Sequence, residues 1–159
     1  MNLENLTLYL RDHLAGSVAA LQLLDHLVTT YGARPEAEQI LTLKAEVEAD
    51  QQQLKNLLDR LGQSEGTLKK AGAWMAEKAL QAKVNSGDDE LGLLEALEVL
   101  ILGIEGKLRL WRSLECLDTG LELPSLQLTA TSQIHRVETL HMEAAKRAFL
   151  TSRQQPRPD

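Results

Sequence analysis

Aromatic side chains are nearly missing from this chain: Phe, Trp and Tyr together supply 3% of its 159 residues. Sheets draw on aromatic and β-branched residues, so a chain rich in leucine and alanine with so few rings points to helix. Proline is scarce as well, at four residues. Cysteine is represented by Cys116 alone. That excludes a disulfide within the chain and fits a cytoplasmic setting. Positive charge is in deficit, with a net charge of −6 and no basic face. Nucleic acid and an anionic membrane surface are therefore not expected partners. No apolar run approaches the roughly 20 residues a membrane span needs. The opening Met1-Asn2-Leu3-Glu4-Asn5 lacks the basic start and apolar core of a signal peptide.

What is present is leucine at helical spacing. The first apolar seam runs from about Leu3 to Tyr31 through Leu6, Leu10, His13, Ser17, Ala20, Leu24 and Leu27, and Gly32 stops it. Pro35 then marks a second helix start, with Glu36 and Glu38 in the first turn. In that helix Ile40, Val47, Leu54 and Leu61 repeat every seven residues, and Leu43, Asp50 and Leu57 take the intermediate core positions. Asp50 is thus a carboxylate in an apolar row. A shorter amphipathic helix is expected at about 67–83. A fourth follows to about Leu117, with a seam of Leu94, Leu97, Ile101, Ile104, Leu108 and Trp111. Pro124 opens the last helix, whose inward residues are read as Ile134, Val137, His141, Ala144 and Ala148. One domain is expected over residues 1–153, with a disordered tail at 154–159.

Connection lengths indicate topology. The first two long helices are joined by a tight turn and the last two by a short loop, so each pair is an antiparallel hairpin. More than 20 residues separate the hairpins. The fold expected is all-α: a four-helix bundle of two hairpins with a short extra helix in the long crossover. With the stretches Ala73-Trp-Met-Ala-Glu-Lys78 and Leu97-Glu-Val-Leu-Ile-Leu-Gly-Ile-Glu-Gly-Lys107, the chain resembles the ferritin-like superfamily over about residues 3–150. The resemblance is to a bacterial branch with a degenerate di-iron site and no established reaction.

In iron-carrying ferritin-like bundles, two long helices each give a carboxylate and the other two each give Glu-x-x-His. The resemblance implies testing each helix for those groups. The last helix has Glu138-Thr-Leu-His141, and the fourth has Glu105 flanking its seam. The second helix contains no histidine, and its run Glu46-Val-Glu-Ala-Asp50-Gln-Gln-Gln53 offers Asp50 as its one inward acid. The first helix has Gly16-Ser17 at mid-height, with His13 about one turn away. Asp50, Glu105, Glu138 and His141 are therefore the candidate metal ligands, with His13 as an outer base. That set is too small for two iron ions, which want about four carboxylates and two imidazoles.

Simpler readings stand beside that one. Rotating the last helix by one position makes Val137, Leu140 and Ala144 the seam and leaves His141 at its boundary. A buried lone carboxylate is costly, so Asp50 must pair, protonate or bind something. Ser17 or His13 across the first hairpin are its expected partners. Gly16, Gly103 and Gly106 sit inside helices, where each costs about 1 kcal/mol against alanine. They either bring backbones together or make room for large neighbours. Glu115 and Asp118 would dull the Cys116 thiol, and Met75 and Met142 read as core filler. The function expected is a non-catalytic binding or scaffolding module without a complete di-iron site. It would carry no cofactor and associate as a homodimer or with a protein partner. The alternative is an oxidase or iron-handling protein holding Fe or Mn on the residual ligands.

Overall fold

The computed structural model describes residues 1–63 and 90–150. The short helix expected at 67–83 and the tail lie outside the described residues. Helix α1 spans Leu3–Tyr31 and α2 spans Ala37–Arg60. Helix α3 spans Glu90–Ser113 and runs into a single 3-10 turn, Leu114–Cys116. Helix α4 spans Leu123–Leu150. These four helices pack as an all-α bundle, and among the described residues no strand occurs.

Local chemistry sets the helix ends. Asn2 caps α1, its side-chain oxygen accepting from the Asn5 amide at 3.1 Å, which satisfies one of the orphan donors of the first turn. Gly62 ends α2 with φ +69°. Its amide donates to the Asp59 carbonyl, and the Gln63 amide donates to the Leu58 carbonyl. That pair of bonds is a Schellman closure, and the left-handed residue it requires is cheapest as glycine. Gly32 ends α1 differently. Its φ is −60°, and a Cβ placed there would lie 2.6 Å from the Val28 carbonyl oxygen. Close approach to the preceding turn, not a left-handed backbone, selects glycine at that position.

Helix α1 packs on α2 and α3, and α3 packs on α4. Helices α2 and α4 are joined by side chains, with Arg136 ion-paired to Glu46. Arg34, just after α1, reaches Glu90 at the start of α3 with an N–O distance of 2.5 Å. Arg147 in the last turn of α4 reaches Glu90 at 2.9 Å and Glu36 at 2.6 Å. The end of α1 and the starts of α2 and α3 therefore share one end of the bundle with the end of α4. At the other end, Tyr9 approaches Ser113 at 3.4 Å and Arg60 donates to the Thr119 carbonyl. The helix directions are up, down, down, up. Helix α2 finishes at the end opposite to the one where α3 starts.

The core is a leucine seam closed by Trp111 and Tyr31, both 1% exposed. Helix α2 buries Ile40, Leu43, Val47, Asp50, Leu54 and Leu57 in the register its heptads predict. Helix α4 adopts the rotated alternative. Ala130, Gln133, Val137, Leu140 and Ala144 are buried, while Ile134, His141 and Ala148 are only partly covered. Met142, read from sequence as core filler, is 56% exposed. In the middle of α1 the buried positions are Leu14, Ala15, Ala19, Leu23 and Leu24, and His13, Ser17 and Ala20 stand half-covered beside them. Among the described residues no helix is long and apolar enough to cross a bilayer.

Candidate functional site

Mid-height in the bundle, three polar side chains from three helices meet. Asp50 on α2 is 6% exposed, and Gln133 on α4 is fully buried. Lys107 on α3 carries its ammonium to both. Its Nζ lies 2.5 Å from Asp50 Oδ2 and 2.5 Å from Gln133 Oε1. The Gln133 amide nitrogen donates back to Asp50 Oδ2 at 3.3 Å. The three groups close a ring in which each contact joins a donor to an acceptor. An amide is suited to the third corner because it offers an oxygen to the cation and an N–H to the anion.

The electrostatics follow from burial. Desolvation pushes the Lys107 ammonium below its ordinary pKa of 10.5, opposed by the charge and hydrogen bond of Asp50 and the charge of Glu46. Removing two ions from water is costly, and a close, fully hydrogen-bonded pair recovers much of that cost. Glu46 is held on the α2–α4 seam by Arg136, so a second pair lies one turn along from the first. At the α1 margin His13 stacks edge-on against Tyr9, with ring centroids 4.7 Å apart. Burial lowers its pKa from 6.5, partly offset by Asp12.

The candidate ligands read from the sequence lie in four different settings. Asp50 is buried as expected, but its partners are Lys107 and Gln133 and not Ser17 or His13. Ser17 instead accepts from Gln51 at 2.9 Å and donates to the Leu14 carbonyl. Glu105 has a side chain 43% exposed and lies 3.4 Å from Arg109 one turn on. Glu138 is 51% exposed and faces His135 at 3.4 Å. His141 sits at the α3–α4 boundary with Nε2 3.0 Å from Glu98. The rotation of α4 carries both members of Glu-x-x-His off the inner seam. Among the described residues, no three His, Cys, Asp or Glu side chains are grouped closely enough to hold a metal ion. Cys116, in the 3-10 turn, is exposed and donates to the Ser113 carbonyl at 3.3 Å.

Lys107 and Gln133 were not among the candidates. Lys107 ends the run Gly103-Ile-Glu-Gly106-Lys107, and a lysine in an apolar helix usually snorkels to solvent. Its spacing was the available signal: Leu100, Ile104, Lys107 and Trp111 share one face of α3 at three- and four-residue steps.

Beside the polar ring lies a cleft of about 390 Å³ between α1, α2 and α3. Asp50 and Lys107 contribute to its wall, with Gly16 and Ser17 on one side and Gly103 and Gly106 on the other. A Cβ added at Gly106 would meet nothing within 4 Å. Gly106 therefore neither draws two backbones together nor admits a large side chain. It leaves space. Trp111 also lines the cleft, and its indole N–H has no acceptor among the described residues.

A scan of protein-family models finds no match, and neither the curated proteins nor the solved structures contain a significant one.

Proposed function

We propose that this chain is a non-catalytic member of the ferritin-like superfamily, a binding or scaffolding module in which the ammonium of Lys107 stands where iron-carrying bundles hold metal. The up-down-down-up helix order supports the superfamily reading. The observation that carries the functional reading is the Lys107 ammonium, 2.5 Å from both Asp50 and Gln133. It supplies the positive charge that a buried carboxylate needs. A metal ion drawn to Asp50 would meet that charge. Two unit charges about 4 Å apart repel by about 4 kcal/mol at an effective dielectric of about 20, and a divalent ion doubles the effect. Exposed apolar side chains such as Leu8 and Leu102 support association with a second copy or a protein partner.

The test is metal content. Protein purified without a chelating tag from cells supplemented with iron and manganese should contain well under one equivalent per chain. Its melting temperature should not move on adding Fe(II), Mn(II) or Zn(II), because a ligand that binds only the native state must stabilise it. One or two equivalents, lost in Asp50→Ala and His141→Ala, would overturn the reading in favour of an Fe- or Mn-dependent oxidase or iron-handling protein. Light scattering after gel filtration tests the association, and a strict monomer at high concentration would remove the homodimer.

A further inference from the structure

Helix α4 carries a second apolar row that the bundle does not use. Its inner seam of Ala130, Gln133, Val137, Leu140 and Ala144 is buried. On its outer side Leu128, His135, Met142 and Phe149 recur every seven residues. Leu128 is 73% exposed, Met142 56% and Phe149 71%, and the His135 side chain is 75% exposed. Phe149 is the one phenylalanine in the chain. Large apolar side chains exposed singly are ordinary, but a continuous row of them marks a contact surface. The exposed large apolar residues of α1, α2 and α3 do not repeat at this interval. Thr131, Glu138 and Ala145 fall three residues after Leu128, His135 and Met142. The outer row therefore has the alternating three- and four-residue spacing that keeps one face against another helix when the two cross at about 20°. From Leu128 to Phe149 it runs about 32 Å at about 1.5 Å per residue.

Charge selects the occupant. His135 and Glu138 are the only titratable residues in these positions, and within one chain His135 Nδ1 lies 3.4 Å from the Glu138 carboxylate. In an antiparallel pair of heptad helices, each position of the main row faces a position of the intervening row on the other helix. Two copies of α4 paired about a two-fold axis between Arg136 and Val137 set His135 of each against Glu138 of the other. Leu128 then faces Ala145, Met142 faces Thr131 and Phe149 faces Pro124. An imidazole N–H donates to a carboxylate whether or not the ring is charged, so both central contacts are complementary. Sliding one copy by a heptad sets Glu138 against Leu128 or Met142, and parallel pairing sets Glu138 against Glu138. Each of those arrangements covers a carboxylate without a partner. We propose that the outer face of α4 is a homodimer interface, on which a second copy of this chain pairs antiparallel with His135 opposite Glu138. This rests on the reading of the chain as a binding module and names the surface and the partner. A seam one helix wide buries less than the roughly 1,600 Å² of a standard interface, so a micromolar dissociation constant is expected. The two readings fail independently: bound metal would sink the first, and a metal-free dimer indifferent to the outer face of α4 would sink only the second.

The experiment is sedimentation velocity over a concentration series of the full chain. The unaltered protein should pass from monomer to dimer across the micromolar range. Phe149→Ser and Met142→Ser should each weaken the dimer roughly tenfold or more, the scale of losing one central apolar contact. Their melting temperatures, read on dilute monomer, should not fall, because both side chains are exposed. Leu8→Ser, on the exposed part of α1, should leave the dimer unchanged. His135→Glu sets two carboxylates against the two Glu138 side chains and should weaken the dimer. Glu138→Lys, which sets lysine against histidine, should weaken it too. The double variant His135→Glu with Glu138→Lys should restore it, since each glutamate then faces a lysine. Restoration also fixes the direction: in a parallel pair position 135 faces 135, and the double variant would set like charges together at both positions. A strict monomer, including the case in which a different protein or another part of this chain covers the row, would overturn the proposal. So would a dimer that survives Phe149→Ser and Met142→Ser, or a double variant no better than the single ones.

Discussion

At the scale of single residues, Lys107 carries the largest consequence. Among the described residues it is one of two partners of the buried Asp50 carboxylate, and it lies 57 positions away from it in sequence. Breaking such a pair from one side strands the other charge. Lys107→Ala should therefore cost about 3–5 kcal/mol in chemical denaturation, and Asp50→Ala a similar amount. Replacing both partners with apolar residues of like volume, as in Lys107→Met with Asp50→Leu, should recover most of that loss. A double variant no more stable than either single one would show that the pair does not act as a unit. Asp50 itself was legible in the sequence as a carboxylate on a heptad seam. Its cation was not. Helical spacing identifies what is inward on one helix, but it does not say which helix faces it at that height.

At the scale of elements, glycines inside and at the ends of helices behave in opposite ways. Gly106 lies mid-helix in α3 with space beyond its missing Cβ. Gly106→Ala should stabilise the fold by about 0.5–1 kcal/mol through helix propensity alone. Gly62 has φ +69°, where any side chain meets the backbone. Gly62→Ala should destabilise by about 1 kcal/mol. Urea melts of the two variants side by side check the contrast, and a common sign would refute it. Four of the expected helices appear close to their expected bounds, because leucine spacing, Pro35, Pro124 and the terminal glycines are local signals. The rotation of α4 was less legible. Each residue turns a helix by about 100°, so Ile134-His141 and Gln133-Val137-Leu140 describe seams only one step apart. Packing against α3 selected the second, and in doing so moved Glu138 and His141 away from the centre.

At the scale of the molecule, one end of the bundle is tied by charge. Arg34 and Arg147 converge on Glu90, and Arg147 also reaches Glu36. Burial raises the Glu90 pKa, but the hydrogen bonds and charges of Arg147 and Arg34 outweigh it and hold the carboxyl below its ordinary 4.5. A carboxyl with a lowered folded-state pKa binds fewer protons folded than unfolded. Its contribution is complete above pH 4.5 and is lost as pH falls from there through the folded-state value. Thermal melts between pH 7 and pH 3 should show this as an acid limb that flattens in Glu90→Gln and Arg147→Met. Unchanged limbs in both variants would mean that the cluster contributes nothing to folding. These ion pairs are partly exposed, so added salt should also weaken them.

The sequence by itself determined the four long helices, their approximate ends, the two antiparallel hairpins and the burial of Asp50. All of these follow from spacing within a turn or two and from the stereochemistry of proline and glycine. Only the tertiary structure decided that Lys107 and Gln133 complete the polar core, that the Glu-x-x-His pair faces the margin, and that a cleft remains between α1 and α3. The reason is physical. Gln133 stands 83 positions from Asp50, and contacts across such separations depend on how each helix rotates and slides against its neighbours. Those rotations are settled by the packing of the whole core at once.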